Sequence, residues 1–375
     1  MTRVFVTGAA GFVGRNLTTT LGRTDGIDTL GHDLGSDPAV LEEALATAEV
    51  IFHLAGVNRP QDPTEFEAGN AGFTEEIIAR LKAVGRAPKI VLSSSIQAER
   101  DNPYGVSKRR AEEALEGYAE RTGASVSIYR LPNLFGKWCR PNYNSVVATF
   151  CHHIARDEPI TISDESHELE LAYIDDVVAA FVSEVTEDRE PGVHWGTVQP
   201  THRITLGCLA ETLRGFRESR STLWVPDFAS DPLTRCLYAT YLSYLPDGEQ
   251  VYALEQRSDP RGSLAEFVKS PPFGQVFVSY TEPGITRGNH YHDTKTEKFL
   301  VVAGEGLIRM RRIDSDEIIK FRVRGEEYRV VDIPPGYTHS IENVGEGRMV
   351  TLFWACEVFD PSSADTHYCE VLRDL

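Results

Sequence analysis

The tightest constraint on the fold lies at the start of the chain. Val4-Phe5-Val6 is a short apolar run of the kind that forms a buried parallel strand. Thr7-Gly-Ala-Ala-Gly-Phe-Val-Gly14 comes directly after it, and Arg15-Asn-Leu-Thr then opens a helical stretch. Glycine at 8, 11 and 14 permits a tight turn and lets the backbone approach a pyrophosphate closely. The helix N-terminus adds unpaired N–H groups and a positive dipole end. A lone Gly-x-x-Gly-x-x-Gly is weak evidence; between a strand and a helix it predicts a dinucleotide site. Gly8, Gly11, Phe12 and Gly14 are the expected contacts of that loop.

Apolar strands and helical stretches continue to alternate. Val50-Ile-Phe-His-Leu-Ala-Gly56 and Lys89-Ile-Val-Leu-Ser-Ser-Ser95 each read as a strand ending in small residues. Ligands of doubly wound sheets sit at the carboxyl ends of strands, so Leu54, Ala55, Gly56 and the serine triplet should border the cofactor. Asp33 ends the second strand region, where an acid would bond a ribose 2′-OH, repel a 2′-phosphate and favour NAD; Arg15 and His32 would act in the opposite sense. Tyr104-Gly-Val-Ser-Lys108 leads into a helix, and the i, i+4 spacing puts Tyr104 and Lys108 on one face. An ammonium beside the phenol is expected to lower its pKa and make Tyr104 a proton donor or acceptor. Lys137-Trp-Cys-Arg140-Pro-Asn-Tyr143 mixes basic and aromatic residues that suit a diphosphate and a stacked base.

At 375 residues the chain suits two domains rather than one core. A net charge of −18 argues against nucleic acid as a partner. No apolar run is long enough for a membrane span, and the strand at residues 3–7 leaves no room for a signal peptide. The six cysteines lack CxxC pairing and dense spacing, as expected of thiols in a reducing cytoplasm. From about Tyr252 the texture becomes short β-rich runs punctuated by turn residues, the pattern of an all-β barrel or sandwich. Pro246-Asp-Gly-Glu249 is the expected linker, which divides the chain into domains 1–247 and 248–375.

The second domain carries Gly284-x5-His290-x-His292-x4-Glu297-x6-Gly304 and Pro334-x-Gly336-x2-His339-x3-Asn343. His290 and His292 alternate by two and so face one side of a strand. His290, His292, Glu297 and His339 form a donor set suited to one divalent metal, with Zn²⁺ first on ligand type. The spacing resembles the two cupin motifs, except that Tyr328 stands where the second usually starts with Gly. Asp259-Pro-Arg-Gly-Ser-Leu-Ala-Glu266 and Arg287-Gly-Asn-His-Tyr291 also resemble the dTDP-4-keto-6-deoxysugar 3,5-epimerases. In those metal-free cupins the histidine matching His290 is the base. Here its neighbours make it a ligand, and the base must be another group. Arg261 and Arg287 are candidates for holding substrate phosphate.

Residues 1 to about 245 resemble the extended short-chain dehydrogenase/reductase (SDR) superfamily, the NAD-dependent epimerase/dehydratase family. That resemblance implies a Rossmann-like fold and a triad of Ser95, Tyr104 and Lys108, with Ser94 the alternative serine. It also makes Asn133 a sugar-nucleotide contact, beside Lys137 and Arg140. The expected fold class is thus α/β plus all-β: an SDR domain followed by a cupin β-barrel. The whole chain resembles the CapF/WbjC family of capsular polysaccharide synthesis. Stretches such as His53-Leu-Ala-Gly-Val-Asn-Arg-Pro60, Asn133-Leu-Phe-Gly-Lys-Trp-Cys139 and Glu297-Lys-Phe-Leu-Val-Val302 carry the likeness. It implies a cytoplasmic homodimer that takes a UDP-4-keto-6-deoxy-HexNAc. The cupin would invert C3, and the SDR domain would reduce the C4 ketone with NADPH or NADH. The product would be UDP-2-acetamido-2,6-dideoxy-L-talose, on the route to UDP-N-acetyl-L-fucosamine. Two other readings make the cupin an oxygenase, or a dimerisation or sugar-binding module.

Overall fold

A computed structural model describes residues 1–373. The chain packs as two units, one of residues 1–214 with 236–246, the other of 215–235 with the chain from 247 onward.

The strands of the first unit are β1 (Thr2–Thr7), β2 (Ile27–His32), β3 (Val50–His53), β4 (Lys89–Ser95), β5 (Ser125–Leu131), β6 (Asn133–Phe135), β7 (Glu168–Tyr173), β8 (Gly192–Gly196) and β9 (Thr201–Thr205). Six of them form one parallel sheet in the order β2-β1-β3-β4-β5-β8. Both faces are covered, which is why these strands are apolar throughout rather than alternating. Phe5, Ile51, Ile90, Leu92, Val126 and Ile128 pack on one side. Val4, Val6, Val50, Phe52, Val91 and Tyr129 pack on the other. Strand order reverses direction between β1 and β3, and a doubly wound sheet opens its ligand crevice at that point. The expected Rossmann-like domain is therefore present.

The glycine loop is forced by crowding at this switch point. Gly8 has φ +71°, and a Cβ there would lie 2.8 Å from the Ala55 nitrogen. A Cβ on Gly14 would lie 2.0 Å from the Gly8 carbonyl oxygen.

The second unit is all-β and antiparallel. Its strands are β10 (Arg257–Asp259), β11 (Gly262–Ser270), β12 (Gly274–Thr281), β13 (Thr286–Tyr291), β14 (Glu297–Ala303), β15 (Glu305–Arg312), β16 (Ile318–Arg324), β17 (Val330–Ile333), β18 (Tyr337–Asn343), β19 (Met349–Ala355) and β20 (His367–Tyr368). They make a six-stranded sheet, β10-β11-β12-β19-β14-β17, and a five-stranded sheet, β16-β15-β18-β13-β20. Phe299, Val301 and Phe353 of the first meet Ile308, Met310 and Ile341 of the second in one apolar core. This is the expected all-β domain, built as two packed sheets.

Residues 215–235 join this unit through backbone pairing. Lys269 N donates to the Leu223 carbonyl and Val225 N donates to the Lys269 carbonyl, both at 2.8 Å. The helix Leu206–Thr222 reads without interruption in the sequence and hides that change of unit. Tyr328, the residue at the usual glycine position, adopts φ +48°, which explains why glycine is preferred there. No described helix is long and apolar enough to cross a membrane.

Gly14→Ala is expected to cost about 1–3 kcal/mol through overpacking of the glycine turn. It should also abolish nucleotide binding to the first unit, read as loss of NADH fluorescence enhancement on titration.

Candidate functional site

Strands β1, β3 and β4 end at the rim of a cleft of about 1450 Å³. The glycine loop contributes Gly8, Gly11, Phe12 and Gly14 to it, and the β3 turn contributes Leu54, Ala55 and Gly56. Asp33, Ser95, Tyr104, Lys108, Asn133 and Arg140 also line it. The sequence-derived set for this domain thus converges on one space, with one exception. Lys137 pairs with Asp175 and is not among the cleft-lining residues, so its expected role as a substrate contact is not supported by its position.

The serine triplet divides by strand alternation. Ser94 is buried and donates its hydroxyl to Glu112, which also accepts from Arg130 at 2.6–3.3 Å. Ser95 lines the cleft and hydrogen-bonds Tyr104, while its Oγ accepts from Gln97 N at 3.2 Å. Ser95 is therefore the serine that faces the tyrosine. Both Tyr104 and Lys108 lie on the helix Pro103–Thr122, which Asn102 caps by accepting from Gly105 N at 2.8 Å.

The phenol does not behave as expected from its spacing to Lys108. Burial raises the Tyr104 pKa, and the bond with Ser95 only partly opposes that shift. Lys108 Nζ instead donates to the Ser93 carbonyl at 2.7 Å. Burial lowers the Lys108 pKa to about 8, with Glu112 acting in the opposite sense. Tyr104 is thus held as a protonated phenol, a form able to donate.

Two supporting residues carried no motif signal. His53, pushed down to about 3 by burial and then by Lys108, bridges Thr7 Oγ1 at 2.8 Å and Thr74 Oγ1 at 2.9 Å. Asn70 sits in a π-helical turn, Glu67–Gly72. Its Oδ1 accepts from Val57 N at 3.0 Å, and its Nδ2 donates to Val57 O at 3.1 Å and to Ser107 Oγ at 2.9 Å. It ties the turn after β3 to the Tyr104 helix.

At the far end of the glycine loop, Asp33 accepts from Ala10 N through both carboxylate oxygens, at 3.0 and 2.9 Å. His32, Asp33 and Leu34 border the cleft at this end. Arg15, a candidate for a 2′-phosphate, lies 4.5 Å over the Trp138 ring instead. Arg140, which lines the cleft, lies 5.4 Å over the Tyr143 ring. Arg100 and Arg203 also line the cleft; no spacing in the sequence pointed to them.

The second unit gathers the other predicted set. One donor atom each of His290, His292, Glu297 and His339 lies within 4.8 Å of all the others. Glu297 Oε2 is 3.3 Å from His292 Nε2 and 3.4 Å from His339 Nε2. His292 Nδ1 is 2.5 Å from the Asp365 carbonyl oxygen, and His339 Nδ1 is 3.2 Å from that of Tyr337. A carbonyl only accepts, so both Nδ1 atoms carry hydrogen, and both Nε2 atoms face the Glu297 carboxylate. Those two Nε2 atoms are buried and, among the described residues, make no well-formed hydrogen bond. Burial, with His339 next, pushes His290 down to about 4, so its ring is uncharged at neutral pH and offers a lone pair. Three imidazoles and a carboxylate converging on one point fit a cation such as Zn²⁺. Arg287, whose buried Nε has no hydrogen-bond partner among the described residues, stands on β13 before His290; Arg261 pairs with Asp259 at 2.6 Å.

The Asp33 geometry predicts that the cleft binds NADH about tenfold or more tightly than NADPH, since about 1.4 kcal/mol of repulsion at a 2′-phosphate suffices. Asp33→Ser should narrow the gap, read from dissociation constants by fluorescence titration.

Residues 4–195 match the NAD dependent epimerase/dehydratase family, and residues 257–367 match the polysaccharide biosynthesis C-terminal domain. The chain is 46% identical to a UDP-2-acetamido-2,6-beta-L-arabino-hexul-4-ose reductase of Pseudomonas aeruginosa, covering 98% of this chain and 99% of that one. The capsular polysaccharide assembling protein CapF of Staphylococcus aureus superposes with a TM-score of 0.90 at 48% identity, over 98% of this chain and 100% of that one. A CapF with the inhibitor 3-isopropenyl-tropolone gives 0.86 at 43% identity, over 98% and 100%. The likeness to these relatives runs end to end, and the chain belongs to the NAD dependent epimerase/dehydratase family, within its CapF-like group.

Proposed function

We propose that the chain is a bifunctional sugar-nucleotide enzyme. Its first unit reduces the C4 ketone of a UDP-4-keto-6-deoxy-HexNAc, and its cupin first inverts C3 of the same substrate. The product is UDP-2-acetamido-2,6-dideoxy-L-talose, on the route to UDP-N-acetyl-L-fucosamine. One observation carries the reductase half: a protonated Tyr104 bonded to Ser95 beside a buried Lys108, at the switch point of a dinucleotide-type sheet. End-to-end similarity to a named UDP-4-ketosugar reductase supports the substrate class.

The residues divide the reductive step between them. Gly8, Gly11, Phe12 and Gly14 would hold a nicotinamide cofactor, which would supply hydride to C4. Tyr104 donates its phenolic proton to the C4 oxygen as negative charge develops there. Ser95 polarises the same oxygen by hydrogen bonding, and Lys108, anchored on Ser93, places positive charge beneath Tyr104 and the cofactor ribose. Asn133 and Arg140 hold the sugar nucleotide.

The epimerising half rests on substrate chemistry. A C4 ketone acidifies the C3 proton, so a base can remove it and a proton can return on the other face. His290, His292, Glu297 and His339 would hold a divalent metal, which supplies Lewis acidity or rigidity. His290 is a ligand in this reading and not the base. Arg261 and Arg287 hold substrate phosphate. The enzyme acts as a homodimer in the cytoplasm, a part of the reading that rests on family likeness alone.

Tyr104→Phe is expected to lower ketone reduction by about 10²–10⁴-fold while leaving C3 deuterium exchange intact, both followed by NMR of the UDP-sugar. Loss of both would overturn the division of labour. Unchanged C3 configuration in the wild-type product would instead make the cupin a dimerisation or sugar-binding module.

The reductase should also lose activity in base. The ammonium of Lys108 is the working form, and its pKa in the fold is lowered to about 8. The charge is therefore present below that pH and lost above it. A basic limb near pH 8 in kcat/KM for the ketosugar is expected, and Lys108→Arg should move it upward.

A further inference from the structure

The loop that joins the metal-type ligands is held from an unexpected place. His290 stands near the end of β13, His292 directly follows that strand, and Glu297 begins β14. Between them, residues 293–295 turn around the carboxylate of Asp365, which arrives from the C-terminal segment. Asp365 Oδ1 accepts from Asp293 N at 2.8 Å. Its Oδ2 accepts from Thr294 N at 2.8 Å, Thr294 Oγ1 at 2.9 Å and Lys295 N at 2.8 Å. Burial alone would raise the Asp365 pKa, but these donors outweigh it and hold the group ionised well below the usual carboxylate range.

The main chain of the same residue completes the arrangement. Its carbonyl takes the Nδ1 hydrogen of His292, at 2.5 Å. Two residues later the segment pairs with β13 itself, His367 opposite Tyr291 and Tyr368 opposite His290. One residue therefore fixes the turn between the ligands by its side chain and the rotation of one ligand by its backbone. Asp293, Asp365 and His367 also approach one another within 4.8 Å. The Asp365 oxygens there are committed to four donors, which makes them an anchor rather than a second cation site.

We propose that Asp365 is a positioning residue for the cupin metal site, whose carboxylate holds loop 293–295 so that its own carbonyl orients His292 for coordination. The inference rests on the reading of His290, His292, Glu297 and His339 as metal ligands. Asp365→Asn keeps the shape but puts an amide N–H₂ against backbone N–H donors.

The test measures zinc affinity of the full-length protein by competition with a chromophoric chelator, and the visible spectrum of the cobalt-substituted form. Wild type should bind one zinc. Asp365→Asn should fold, with unchanged far-UV circular dichroism, bind zinc about 10- to 100-fold more weakly, and show an altered cobalt d–d band. Absence of zinc binding in wild type would remove the ligand reading and this inference with it. Zinc bound by wild type and equally by Asp365→Asn, with the same cobalt spectrum, would overturn the role of Asp365 and leave the ligand reading standing. Should Asp365→Asn fail to fold, Thr294→Ala decides, because it removes one of the four donors. Weakened zinc binding in that variant supports the inference, and unchanged binding overturns it.

Discussion

A lysine ammonium buried to 6% exposure is the constraint around which the nucleotide cleft is arranged. Burying a charge is expensive unless its surroundings are polar and hydrogen-bonded. The Ser93 carbonyl answers that need, and in doing so it fixes the end of β4. With Ser93 held, Ser94 turns inward to Glu112 and Ser95 turns out to Tyr104. The same charge helps keep His53 unprotonated, so its ring can link Thr7 and Thr74 beneath the glycine loop. The small turn after β3 is shaped by the same demand. A Cβ on Gly56 would sit 2.8 Å from Asn70 Oδ1 and 3.8 Å from Lys108 Nζ.

The histidine–glutamate cluster relies on a different device. Pairing of β13 with β18 slips between Gly288 and His290, and Asn289 takes up the extra residue at φ +60°. The displaced Asn289 is not idle. Its carbonyl accepts from Cys369 N at 2.9 Å and its Oδ1 from Val371 N at 3.2 Å. The bulge that aims His290 also gives the returning C-terminal segment its hold.

Much of this was legible in the sequence wherever chemistry and spacing are local. The glycine loop, the serine strand end, Tyr104 with Lys108, and the four cupin donors all lie in short motifs. What was not legible depends on partners far along the chain. Asp175 is 38 residues from the Lys137 it engages, and the basic-aromatic stretch alone gave no sign of it. The direction of the Tyr104 shift was misjudged because helical spacing says nothing of burial, which here outweighs the neighbouring charge. The side chains of Asn70 and Asp365 bond largely to backbone groups, and those leave no mark in a side-chain pattern. Residues 215–235 change unit in the middle of a helix, where composition has no boundary to show.

The π-helical turn Glu67–Gly72 makes the cleft sensitive to helix phase. A π turn is one residue wider than an α turn, so it sets the angular offset between the helical segments on its two sides. Each residue of an α-helix advances about 100° around the axis. Removal of a single residue from this turn would swing Asn70 away from Val57 and Ser107, although no residue of the Ser-Tyr-Lys set had been touched. The helix therefore acts as an indexing device, and insertions or deletions there would be felt at the cofactor side of the sheet before they were felt in the core.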